Sequence, residues 1–335
     1  MEEKRYRSGK KQMKKSLKLL LGTAGAAGLT SVSLYAAADL LHTFVMDNKK
    51  RFPLKFKENS PLVPVEVGKM MPALRAGQEW LDRQELQTHT IVNRRGQRLT
   101  GYYIPPKGDS NVIIFFCHGF KGNGKSDICF FGERYTEDFG YGIFSVDHTG
   151  SGKSEGRYSG FCYLEAQDGV EWLHYLNAVL PGRQFILHGG SMGGATVLCM
   201  TGEPDLPGNV KFAVGDCGFT SAWDEFTYEL RHAHAPVHPI IDLFNSINIK
   251  KAGYDLRKAS AIDAVRRSHT PTLIIHGERD TFVPTYMAQE LYDACAAEKE
   301  LVIVKDATHE LSAVYDPALY YGKIHEFADR YLDHT

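Results

Sequence analysis

The sequence predicts an α/β protein with a mostly parallel, doubly wound sheet and a helical cap insertion. Three observations predict it. Uninterrupted apolar runs at Val112 to Cys117, Ile143 to Val146, Gln184 to His188, Val210 to Gly215, Thr272 to His276 and Leu301 to Val304 alternate with helix-length segments. Such runs mark strands covered on both faces, and their alternation with helices marks parallel crossovers. About 50 residues separate the fourth and fifth runs, too many for one crossover helix, so a cap is expected at about 219–265.

The N-terminal region is different in character. Residues 1–57 carry 13 Lys and Arg against 4 Asp and Glu, leaving 26 against 36 for the rest. A basic run from Lys4 to Lys18 precedes an apolar stretch from Leu19 to Met46, of which residues 19–41 are long enough to span a bilayer as a helix. We expect an uncleaved single-pass anchor in the cell membrane within residues 1–57. The basic flank favours an extracytoplasmic catalytic domain, although Lys49, Lys50, Arg51, Lys55 and Lys57 weaken the asymmetry. Ala36-Ala37-Ala38 offers cleavage of a secretion signal as one alternative, and an interfacial or buried helix is another.

Residues 58–78 read as a linker, because Pro61, Pro64 and Pro72 oppose a long regular element, and the folded domain is expected over 79–335. Two strands, Thr88 to Val92 and Leu99 to Ile104, flank the turn Asn93-Arg94-Arg95-Gly96. Within the cap, helices are expected at Trp223 to His232 and Pro239 to Lys250. Six cysteines without a C-x-x-C pair read as buried thiols. The acidic body lacks the Lys and Arg surface that nucleic-acid binding requires.

The chemistry begins at Gly189-Gly190-Ser191-Met192-Gly193, a G-x-S-x-G directly after an apolar strand and before an apolar helix. A sharp strand-to-helix turn holds the serine in the open, and glycines around it avoid β-carbon clashes. Asp280 and His309 then follow in the order Ser, Asp, His, each in a loop after a later strand. Ser191 is the expected nucleophile, His309 its base, and Asp280 the carboxylate that orients the histidine. Asp216, Glu278 and Asp306 compete for the acid position. His188 and His276 read as structural, and the cluster His232, His234 and His238 lacks a completing ligand for a metal. Backbone amides of Phe120 and Met192 are the candidate oxyanion donors.

A rival reading uses Gly119 to Ser126, which matches the P-loop pattern G-x-x-x-x-G-K-S, with Asp147 as the magnesium-binding acid of an NTPase. It leaves Ser191, Asp280 and His309 unexplained. A third reading is a catalytically idle, membrane-tethered binding module.

His118-Gly119-Phe120, Asp147 to Ser154, the Ser191 turn, Gly277-Glu278-Arg279-Asp280 and Thr308-His309 together resemble the α/β-hydrolase superfamily from about Glu79 to the C-terminus. Within it they are similar to the serine aminopeptidase-like group, which also holds monoacylglycerol lipase-like and acyl-esterase-like enzymes. Asp216 to Phe226 resembles a membrane-anchored bacterial subgroup of unassigned substrate. The resemblance implies cleavage of an ester, thioester or amide through an acyl-enzyme, with no metal or cofactor. A carboxylic ester with a small or medium acyl chain is the favoured substrate, with Trp223, Phe226, Leu243 and Phe244 near the acyl pocket. The cap shows no evident acidic site for a substrate amine, which disfavours a peptidase.

Overall fold

The computed structural model describes residues 31–50 and 65–333. Eight strands form one sheet: β1 Gln87–Val92, β2 Arg98–Ile104, β3 Val112–Cys117, β4 Gly142–Asp147, β5 Gln184–Gly190, β6 Val210–Asp216, β7 Thr272–Gly277 and β8 Lys299–Val304. Their spatial order is β1-β2-β4-β3-β5-β6-β7-β8, antiparallel through β1, β2 and β4 and parallel from β4 to β8. The central strands are buried at nearly every position because both faces are covered. Ile113, Phe115 and Cys117 enter one core, whereas Ile114 and Phe116 enter the other, following the period-two alternation of a strand.

Two helices precede the sheet, α1 Ser31–Met46 and α2 Val65–Leu81. Along the sheet lie α3 Gly124–Glu133, α4 Tyr163–Val179, α5 Met192–Thr201, α9 Tyr286–Ala294 and α11 Pro317–Tyr331, with the short α10 Ser312–Tyr315 before the last. The long connection between β6 and β7 holds α6 Ala222–His232, α7 Ile240–Ala252 and α8 Ala261–Val265. Side chains cap several of these helices: Ser221 accepts from Asp224 N–H to start α6, and Asn123 accepts from Ser126 N–H to start α3.

Two parts of the chain differ from the sequence reading. Residues 65–78, expected in the linker, lie in α2, which packs on α3 and buries Trp80 and Leu81. Pro72 is tolerated inside α2 because Gly68, whose carbonyl loses its helical partner, is exposed to solvent.

The second difference concerns the expected membrane segment. Residues 19–30 lie outside the described residues. From Ser31 onward the segment is α1, which lies against α7 and buries Ala38, His42 and Met46. Its polar groups meet the protein: His42 Nε2 lies 3.1 Å from Asn248 Oδ1, and Asp39 pairs with Lys251 at 2.6 Å. Asp47 follows α1 and receives Arg157 at 2.8 Å. Among the described residues, no helix is long and apolar enough to cross a membrane.

Candidate active site

Strand β5 ends at Gly190 and α5 begins at Met192, so the whole reversal is made at Ser191. Ser191 has φ 54° and ψ −122°, a conformation that L-residues rarely adopt and that persists only where neighbours enforce it. Ser191 N–H donates to the carbonyl of Asp216 at 2.9 Å, and Ala195 N–H donates to the carbonyl of Ser191 at 3.0 Å. The close approach of strand and helix explains two of the glycines. A β-carbon at Gly193 would lie 1.8 Å from the carbonyl oxygen of Cys117, and one at Gly189 would lie 2.3 Å from the Gly193 backbone. At Gly190 a β-carbon meets nothing nearer than Glu310 Oε1, at 3.7 Å.

The parallel strands bring the other two residues to the same edge. Ser191 Oγ lies 2.8 Å from His309 Nε2, and His309 Nδ1 lies 2.7 Å from Asp280 Oδ2. The other carboxylate oxygen of Asp280 accepts from Phe282 N–H at 2.9 Å and Val283 N–H at 3.0 Å. His276 Nε2 lies 3.3 Å from Asp280 Oδ2. Burial works against ionisation of Asp280, but His309 and the His276 hydrogen bond outweigh it and hold the carboxyl at about 2. Burial equally opposes a charge on His309, and the adjoining Cys217 and Asp280 outweigh it and draw its pKa above the usual histidine range. Burial in turn pushes the Cys217 thiol up to about 12.

Asp216 stands apart from this chain. Its Oδ2 accepts from Tyr320 O–H at 3.0 Å, and burial, partly offset by that bond, raises its carboxyl to about 7. Glu278 Oε2 accepts from Asp306 N–H, and Asp306 pairs with Arg279, which accounts for both remaining acid competitors. His188 lies between the hydroxyls of Tyr135 and Tyr320, at 3.1 and 2.8 Å. His238 pairs with Asp242 at 2.5 Å.

Phe120 sits on the loop after β3, beside the nucleophile. A β-carbon on Gly119 would lie 2.8 Å from Glu310 Oε1 and 3.7 Å from Ser191 Cβ, so the backbone there runs close beside the nucleophile. His118 fixes this loop: Nε2 accepts from His148 N–H at 3.1 Å and Nδ1 donates to Gly119 O at 2.7 Å. The same loop spends three of its amides on acceptors within the protein, unlike the phosphate cradle that the rival reading requires. Gly122 N–H donates to Gly119 O, Gly124 N–H to Asp147 Oδ1, and Ser126 N–H to Asn123. Asp147 also accepts from Tyr102 O–H and Lys153 N–H, so its carboxylate is consumed by holding loops together.

Ser191 opens on a cavity of about 210 Å³ walled by α1, α6, α7 and the loops after β3 and β7. Phe120, Met192, Phe226 and Phe244 line it, and Phe161 joins them with its ring 4.6 Å from that of Phe226. Trp223 and Leu243 do not. The lining residues of α6 are Glu225, Phe226, Glu229 and Leu230, and those of α7 are Ile240, Ile241 and Phe244. Trp223 and Leu243 lie to the side of these helical stripes, and Trp223 instead stacks under the Arg257 guanidinium at 4.0 Å. Leu41 and Val45 of α1 complete the wall. Sequence reasoning also missed the acidic groups: Glu225 and Glu229 face the cavity, against the expectation of a cap without an acidic site.

This architecture agrees with comparisons to known proteins. A family model described as alpha/beta hydrolase fold matches residues 112–233, and one described as serine hydrolase matches residues 188–311, a range that includes Ser191, Asp280 and His309. The protein YqkD of Bacillus subtilis is 27% identical over 262 residues, covering 77% of this chain and 84% of its own. Among solved structures, the Pyrococcus furiosus esterase Pf2001 aligns with a TM-score of 0.58 at 19% identity, over 75% of this chain and 92% of its own. An acetyl xylan esterase from Paenibacillus sp. R4 aligns with a TM-score of 0.56 at 16% identity, over 91% and 100%. The chain therefore has the α/β-hydrolase fold, and the two family models each match a part of it.

Proposed function

We propose that the protein is a serine esterase acting on a small or medium acyl ester through Ser191, His309 and Asp280. The observation that carries this reading is the continuous contact from Ser191 Oγ to His309 Nε2 at 2.8 Å and from His309 Nδ1 to Asp280 at 2.7 Å, at the mouth of an apolar cavity. On this reading His309 takes the proton of Ser191 as its Oγ attacks the ester carbonyl. The developing oxyanion receives the N–H groups of Met192 and Phe120; Met192 opens α5, so its N–H has no helical acceptor. His309 then protonates the departing alcohol, leaving an acyl-Ser191 that water hydrolyses with His309 again as base. Asp280, fixed by two backbone N–H groups, holds the Nδ1–H tautomer and stabilises the imidazolium.

Supporting the ester as substrate are the apolar cavity and the esterases of like fold; a solved peptidase from Mycobacterium tuberculosis shares the fold too, with a TM-score of 0.55. On this reading the catalytic unit comprises α1 in addition to residues 65–335, with 219–265 as its cap. Attachment to the membrane upstream of α1, with the catalytic unit outside the cytoplasm, is part of the same proposal. Residues 19–30 alone are shorter than the roughly 20 that a spanning helix requires. A span would therefore have to include the first turns of α1, ahead of the positions from Ala38 onward that are buried in the protein.

The test is hydrolysis of p-nitrophenyl esters from acetate to laurate. Turnover is expected to peak at a short or medium chain and to fall by on the order of 10⁴ or more in Ser191→Ala. Turnover that is insensitive to Ser191→Ala contradicts the reading.

A further inference from the structure

Glu225 lies in the first turn of α6, where its N–H donates to Ser221 O, and it is part of the wall of the cavity onto which Ser191 opens. The residue is 4% exposed, and neither carboxyl oxygen has a hydrogen-bond partner in the protein. No basic side chain among the described residues lines the cavity. Burying a carboxyl without partners is unfavourable, and an apolar residue of similar size would fill the same space at no such cost. Groups left unsatisfied at a ligand-facing wall are explained when the ligand satisfies them.

We propose that Glu225 is the polar recognition point of a mainly apolar cavity, selecting substrates whose cavity-bound chain carries a hydroxyl group. This rests on the esterase reading and adds a substrate class to it. Burial, reinforced by Glu229, raises the Glu225 carboxyl well above the usual range, so it stays protonated. A neutral carboxyl presents one O–H donor and one carbonyl acceptor, and a hydroxyl presents the same pair, so the two satisfy each other. An ammonium offers donors only, and its strongest partner would be an ionised Glu225 in a cavity whose other walls are mainly phenylalanine, leucine and isoleucine. Glu225 is a specificity-determining residue here and takes no part in the proton transfers at Ser191.

The test compares p-nitrophenyl octanoate, its 3-hydroxy and 8-hydroxy forms and p-nitrophenyl 8-aminooctanoate on the wild-type chain, Glu225→Gln and Glu225→Leu. The wild-type chain is expected to favour one of the hydroxy esters over octanoate by about tenfold in kcat/KM. Glu225→Gln, which keeps a donor and an acceptor, retains that preference. Glu225→Leu loses it, gains on plain octanoate, and melts at a higher temperature than the wild-type chain. A hydroxy-ester preference that survives in Glu225→Leu, no such preference in the wild-type chain, or a preference for the amino ester overturns the proposal. Plain octanoate separates the two levels: its hydrolysis with loss in Ser191→Ala upholds the esterase reading whatever the hydroxy esters show. Absence of all hydrolysis overturns that reading and this inference with it.

Discussion

His42 Nε2 lies 3.1 Å from Asn248 Oδ1, a buried contact between residues 206 positions apart that fastens the N-terminal helix to the cap. Burial outweighs the Asn248 hydrogen bond in lowering the pKa of His42, so the imidazole is neutral in the fold. His42→Leu leaves Asn248 Oδ1 buried without that partner and is expected to cost about 1–3 kcal/mol in urea unfolding. A chain beginning at Asp47 lacks Leu41 and Val45 and is expected to lose its discrimination between acyl chain lengths. Unchanged stability and selectivity in both variants would detach α1 from the catalytic unit.

The glycines around Ser191 are unequal. Gly193→Ala forces a β-carbon to within 1.8 Å of a backbone carbonyl, whereas Gly190→Ala meets only ordinary van der Waals contact at 3.7 Å. Gly193→Ala is expected to abolish esterase activity and lower the melting temperature, while Gly190→Ala stays within about 1 kcal/mol of the wild-type stability. Similar effects from the two would show that the Ser191 turn is not held as described.

Because the Asp280 carboxylate raises His309, and His309 must be neutral to accept the serine proton, activity should fall as pH drops through a His309 pKa above the usual histidine range. Asp280→Asn removes the anion, so the acid limb is expected to move to lower pH by about one unit or more while the plateau rate drops about 10⁴-fold. Asp216→Asn is expected to move the limb far less, since Asp216 bonds to Tyr320 and not to His309. A limb that moves with Asp216 and not with Asp280 would exchange the roles of the two acids.

Burial lowers His118 to about 4 and His188 to about 3, so both remain neutral in the fold where the unfolded chain already binds protons. Their stabilising contribution is present above about pH 6.5 and is lost as pH falls from there toward 4 and 3, at about 1.4 kcal/mol per pH unit for each. His188→Gln, which can still bond to Tyr135 and Tyr320, should remove one such share of the slope between pH 6.5 and 5 in urea unfolding. An unaltered slope would place the acid sensitivity elsewhere.

The eight strands and the three residues joined at Ser191 were legible in the sequence because their signals are local. Both-face burial writes an apolar run into each strand, and the Ser, Asp, His order follows from strand ends. The role of α1 was not, because Ala38, His42 and Met46 sit in a stretch whose composition suits lipid and protein interior equally. Trp223 and Leu243 were assigned to the pocket by residue type, whereas helical phase decides which side chains reach it. Glu225 carried no signal at all: a glutamate in the first turn of a helix reads as a solvated charge favoured by the helix dipole.

The central claim is that Ser191 is the activated nucleophile, and labelling with a fluorophosphonate followed by mass spectrometry tests it most directly. The account predicts a single adduct on Ser191 in the wild-type chain, lost in Ser191→Ala and strongly slowed in His309→Ala. Equal labelling of Ser191→Ala, or an adduct on another residue, would contradict it.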